Sequence, residues 1–168
     1  MTTETISSTR AYVEHIMGMP ISVHVRARDL GRTDIARTVE AVFESLRRAD
    51  SIFSTWRPDS ELMRWRRGDL ALRDADPPMI TVMDLCDAAT SATRGPFTTH
   101  LVGPSGAAGW DPTGLVKGWA VGTAADGLRA LEQVTFSINA GGDVVCGLGK
   151  HSAELARPWN IGIEDPAD

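Results

Sequence analysis

Two glycine-bearing segments hold the residues best suited to chemistry. Asp111-Pro-Thr-Gly-Leu-Val-Lys-Gly-Trp-Ala120 sets Lys117 between Gly114 and Gly118, where helical spacing begins. Asn139-Ala-Gly-Gly-Asp143 follows a short apolar run. Glycine lets backbone N–H groups approach an anion closely. A helix N-terminus adds partial positive charge, and Lys117 supplies a full one. Together the segments read as two walls of a site for a phosphate-bearing ligand. Asp111 and Asp143 could meet beside it and attract Mg²⁺, which favours oxygen ligands shared with substrate phosphates. The Gly141-Gly142 pair also has a purely structural reading, a hairpin turn with Asp143 as a turn residue.

Other chemistries are excluded by what the segments lack. Lys117 is followed by Gly118 and Trp119, not by Ser or Thr, so the loop is not of the Walker type. No GxGxxG, no Gly-x-Ser-x-Gly, no HExxH and no cysteine–histidine cluster occurs. His100 and His151 lack partners in sequence and receive no role. Trp56 lies in Phe53-Ser-Thr-Trp-Arg-Pro-Asp-Ser-Glu-Leu62. A loop tryptophan either lids a core or stacks on a planar ligand, and residue type alone favours the lid. Met17 and Met19 flank Gly18. Core filling is the simpler account of the methionines, and a backbone pocket beside Gly18 is the functional one.

These residues need elements to hold them. Ile21, Val23 and Val25 alternate with Ser22, His24 and Arg26, which predicts a strand over 21–26. Gly18 and Pro20 then mark a bend or bulge at its entrance. Ile35, Val39, Val42, Phe43 and Leu46 predict a helix over 34–50, capped by Thr33 or Asp34. Pro58 ends regular structure, and Asp59 or Ser60 caps a short helix carrying Leu62, Met63 and Trp65. Further helices are predicted over 79–93, ended by Arg94-Gly-Pro96, and over 115–131. Residues 97–109 read as loop. Short strands are predicted at 134–138, 144–146 and 159–163. The pattern is α+β, with residues 1–10 as a flexible polar arm and 11–168 as one domain.

Composition sets the class. A chain of 168 residues with 42% hydrophobic and 23% charged residues can bury one substantial core. A net charge of −5 without a basic face argues against nucleic acid. Two cysteines without a CxxC fit a reduced interior rather than a disulfide framework. The first residues lack the apolar stretch of a signal peptide, and no segment has the length and apolarity of a membrane helix. A cytoplasmic protein is the expectation.

Four ordered blocks resemble the FAD:protein FMN transferase family, also known as the ApbE family. They are Met17-Gly18, the segment Phe53 to Leu62, the segment Asp111 to Val121, and Asn139-Ala-Gly-Gly-Asp143 followed by Trp159-Asn-Ile-Gly-Ile-Glu-Asp-Pro166. The resemblance implies a mixed sheet flanked by helices with the ligand cleft near its loops. It also implies an activity: binding FAD, cleaving its pyrophosphate with Mg²⁺, and attaching FMN through a phosphoester to a threonine of a partner flavoprotein. The implied FAD-binding residues are Met17, Gly18, Trp56, Lys117, Asn139, Gly141, Gly142 and Asp143. Trp56 takes the family's aromatic position. The backbone carbonyl before the lysine, that of Val116, is the implied metal ligand.

The chain departs from the family pattern at several points. Thr113-Gly114 stands for a Gly-Gly pair, Gly122 for an aspartate, and Phe97-Thr98 for Phe-Asp. The family's His-x-x-Asp-Pro and Asp-Ala-x-x-Thr segments do not occur. The resemblance therefore implies that the catalytic base and most side-chain metal ligands belong to a C-terminal part lacking here, leaving apolar sheet surface exposed and solubility reduced. Three functions remain open: an FMN transferase, a module that holds FAD or another nucleotide without chemistry, and an interaction domain with no small ligand.

Overall fold

The computed structural model describes residues 8–102, 108–155 and 157–163. Strands β1 (Ser8–Ile16), β2 (Met19–Ala27), β5 (Val134–Ala140) and β6 (Asp143–Leu148) form one sheet in the order β1-β2-β5-β6. All three of its ladders are antiparallel. Among the described residues a parallel contact occurs only as the isolated bridge between Glu132 and Lys150. Helices α1 (Thr33–Phe53), α2 (Glu61–Arg66), α3 (Pro77–Thr93) and α4 (Thr113–Ala130) complete the fold, with a small hairpin of β3 (His100–Val102) and β4 (Ala108–Trp110). The α+β class is as the pattern indicated.

One face of the sheet is buried by helices. Ile21, Val23 and Val25 of β2, with Phe136 and Ile138 of β5, are fully buried there. They pack with Ile35, Val39, Val42, Phe43 and Leu46 of α1, whose three- and four-residue spacing makes one stripe. Helix α4 meets them with Ala120, Ala124, Ala125 and Leu128. Its small residues let α1 come close: a Cβ on Gly127 would stand 3.4 Å from the Thr38 methyl. A second, smaller core gathers Ile52, Phe53, Leu62, Met79, Val82, Cys86 and Val116. Both α1 and α4 run through the two cores, so the seam between the cores lies at the end of one helix and the start of the other.

Several expectations need correction. The polar arm is shorter at its C-terminal end than 1–10, because Ser8 to Arg10 pair with Ala27 to Val25. The bend before β2 is the two-residue turn of a full hairpin, with Met17 and Gly18 at φ 55° and 73°. Strand β1 went unread because Met17 is not a usual residue for a left-handed turn position. Residues 97–109 are not all loop, since β3 and β4 pair there. No ladder forms at 159–163. That segment crosses the outer sheet face, where the Arg26 guanidinium sits 3.6 Å from the Trp159 ring centroid. Residues 164–166 of the last block lie outside the described residues. At α1 neither Thr33 nor Asp34 is the cap: the cap residue is Arg32, while Asp34 accepts from the Ile35 N–H at 3.0 Å.

Two outcomes test this packing. A Cβ on Gly149 would run into the Leu131 carbonyl and meet the Val134 side chain at 2.8 Å. Gly149→Ala should therefore cost about 1–3 kcal/mol in urea unfolding, and an unchanged midpoint would contradict the placement of β6. Burial raises the pKa of the Cys86 thiol, whereas Cys146 is exposed. A thiol reagent should modify one cysteine promptly in the native protein and the second only on unfolding.

Candidate functional site

The seam between the two cores opens into a cleft of about 680 Å³. Its walls come from three places distant in sequence. The β1–β2 turn supplies Met17, Gly18 and Met19; the end of α1 and the loop after it supply Asp50 and Phe53 to Arg57; the first turn of α4 supplies Thr113, Val116 and Lys117. Phe53 meets Trp119 edge to face at 5.7 Å between ring centroids, fixing the α1 end against α4.

Trp56 is 94% exposed, so it does not lid a core. Its loop is nevertheless braced. The Ser54 hydroxyl accepts from the N–H groups of Trp56 and Arg57, both at 3.3 Å. Ser60, buried beneath the loop, donates to the Ser54 carbonyl at 2.6 Å and accepts from the Met63 N–H as the cap of α2. An indole held in the open by a fixed backbone loses little entropy on meeting a flat ligand.

Lys117 reaches from the α4 turn to the β5–β6 turn, where its ammonium lies 3.0 Å from an Asp143 carboxylate oxygen. The two glycine-bearing segments therefore converge. Their roles differ from the simple reading. Gly141 and Gly142 form the hairpin turn, with φ of 58° and 96°, so the structural account of the pair holds. A Cβ on Gly141 would stand 2.6 Å from the Met19 sulfur, which fixes one turn against the other. The Gly142 N–H is already given to the Asn139 carboxamide oxygen at 3.0 Å. Asn139 lines a separate cleft of about 370 Å³ on the outer sheet face, with His24, Arg26, Ser137 and Trp159. It shapes the turn rather than the Lys117 cleft.

The two aspartates take different partners. Asp111 accepts from the Thr113 N–H at 3.0 Å and lies 3.6 Å from the Arg66 guanidinium. Arg66 also donates to the Trp110 carbonyl. Among the described residues no three histidine, cysteine or acidic side chains gather to hold a metal. The Val116 carbonyl lies inside the α4 hydrogen-bond ladder, where Ala120 is its natural donor. The protein groups described here do not by themselves fit a divalent cation.

Comparison with known proteins follows this geometry. The family model for ApbE matches residues 17–108 and 99–168. The chain belongs to the ApbE family. Among solved structures, the ApbE protein from Thermotoga maritima superposes with a TM-score of 0.74 at 17% identity, covering 96% of this chain and 65% of that one. The apo flavinyl transferase ApbE from Pseudomonas stutzeri gives 0.73 at 18%, covering 96% and 63%. The flavin transferase ApbE from Vibrio cholerae gives 0.70 at 18%, covering 96% and 65%. The chain thus spans roughly two-thirds of the ApbE chains it matches. Comparison with curated proteins gives no match. No described helix is long and apolar enough to cross a membrane.

Sequence reasoning missed Arg57 and Asp50 as lining residues. Arg57 directly follows Trp56, and that adjacency was its signal; Asp50 lies within the last turn of α1 and carried none. The brace beneath the loop is testable. Ser60→Ala removes a cap and a loop bond together, and should lower stability by about 1–2 kcal/mol in chemical unfolding. A loss of a few tenths or less would mean the loop is held by other contacts.

Proposed function

We propose that the cleft holds FAD by its diphosphate, with the flat ring system against Trp56, as the nucleotide-binding part of an FMN transferase. The supporting observation is convergence. Three of the four family blocks line one cleft, and the fourth reaches its edge through the Lys117–Asp143 ion pair. The first turn of α4 aims positive dipole character at the same place. The cleft volume is in the range of small-molecule sites.

In the proposed reaction a threonine hydroxyl of a partner flavoprotein attacks the FMN phosphorus of FAD. A phosphoester bond forms, the pyrophosphate bond breaks, AMP leaves, and a base takes the threonine proton. The residues described here bind and orient. Lys117 offsets phosphate charge, Trp56 fixes the ring, and the Met17-Gly18 turn closes the third wall. Val116, beside Lys117, has its carbonyl in the α4 ladder and is not carried forward as a metal contact. Magnesium, when bound, would neutralise phosphate charge, and with so few protein donors it would depend on the diphosphate and water. The catalytic base is not assigned to any described residue.

A second reading has its own support. Walls for a nucleotide are present while acid, base and metal clusters are not found among the described residues. These residues alone would then hold FAD without cleaving it. Release of AMP from FAD in the presence of Mg²⁺ separates the two.

Lys117→Met should weaken FAD binding by roughly tenfold to a hundredfold in calorimetric titration, the loss of one charged hydrogen bond. Riboflavin, which has no phosphate, should bind both forms equally. Equal FAD affinity in the two proteins would remove Lys117 from the site.

A further inference from the structure

We propose that Arg57 grips the second phosphate of the dinucleotide and so sets the preference of the cleft for FAD over FMN. This rests on the reading of the cleft as an FAD site. Two cations line the cleft, Arg57 after α1 and Lys117 on α4, against one carboxylate, Asp50. They come from different walls. A single lysine serves one phosphate as a point charge, and a diphosphate presents two. An arginine fork suits the other, because its planar donors match two phosphate oxygens at once.

The guanidinium is placed for this. Its Nε and one Nη donate to Asp59 at 3.3 and 2.9 Å. That pairing raises its pKa and lowers that of Asp59. The remaining nitrogen, Nη1, forms a longer ion pair with Asp50 at 3.7 Å, and that carboxylate adds to the upward shift of the arginine. An arginine has five N–H donors, and the two on Nη1 make this long contact with the carboxylate that lines the cleft, where a phosphate oxygen at hydrogen-bond distance would replace it. The backbone of Arg57 is fixed by the Ser54 hydroxyl and by the bond from the Ser60 N–H to its carbonyl. The side chain is about half exposed, at 46%. Its Asp59 contact is therefore a surface pair of small worth, which leaves the arginine able to turn inward.

The test is titration of the 168-residue protein with FAD, FMN and riboflavin at fixed salt, using Arg57→Gln, Arg57→Lys, Asp59→Asn and Lys117→Met. Arg57→Gln should weaken FAD on the order of tenfold and leave riboflavin unchanged. Arg57→Lys should recover part of the loss. FMN, with one phosphate, should respond to only one of the two cation variants. Asp59→Asn frees the guanidinium without deleting it, so FAD should bind at least as tightly as to the wild type. The proposal is overturned if Arg57→Gln binds FAD normally, if it loses riboflavin equally, if FMN weakens in both cation variants, or if Asp59→Asn weakens FAD as Arg57→Gln does. Wild-type protein that binds neither FAD nor riboflavin would overturn the site reading itself, and that result is seen before any variant is made.

Discussion

The packing of the last turns of α1 against the first turns of α4 governs the rest of the molecule. Small residues on α4 allow the approach, and Phe53 against Trp119 locks the ends in register. At that contact both helices pass from the large core into the small one, and the cleft opens at the seam. Lys117 is therefore placed by what its neighbours bury. Val116 on one side enters the small core, and Ala120, four residues further on, enters the large one. The lysine between them has to emerge at the seam. A change that separated the helices would move the ammonium and the Trp56 loop together.

Charge within the cleft is paired but loosely held. Lys117 rests on Asp143 and Arg57 on Asp59, and these side chains are 34–69% exposed. Exposed pairs of this kind contribute about 0–1 kcal/mol. A phosphate that accepts several charged hydrogen bonds outcompetes them. On the proposed reading, these pairs are weak enough for an anionic ligand to replace. The rigid parts are the backbone turns beneath: Met17-Gly18, Gly141-Gly142 against Met19, and the Ser54–Ser60 loop.

The amino-acid pattern revealed the helices well, because their apolar stripes report burial directly. It also revealed the convergence of Lys117 with the 139–143 segment, through glycine and charge. It did not reveal β1, whose turn relies on Met17 adopting a left-handed conformation that residue type does not announce. Strand alternation at 159–163 was real but found no neighbouring strand, and alternation alone cannot supply one. Asn139 and Gly142 were legible as a motif, whereas their mutual bond, which points Asn139 to the outer face, depends on β5–β6 register. Asp111 looked like a metal ligand until Arg66, far off in sequence, arrived to pair with it. Long-range partners of polar groups are the part that local spacing does not encode.

A crystal structure of the protein with FAD bears most directly on the account. It predicts the diphosphate within hydrogen-bond distance of the Lys117 ammonium, with a flat ring of the ligand against Trp56. FAD bound instead on the opposite sheet face, between Trp159 and the strands carrying His24 and Ser137, would contradict it.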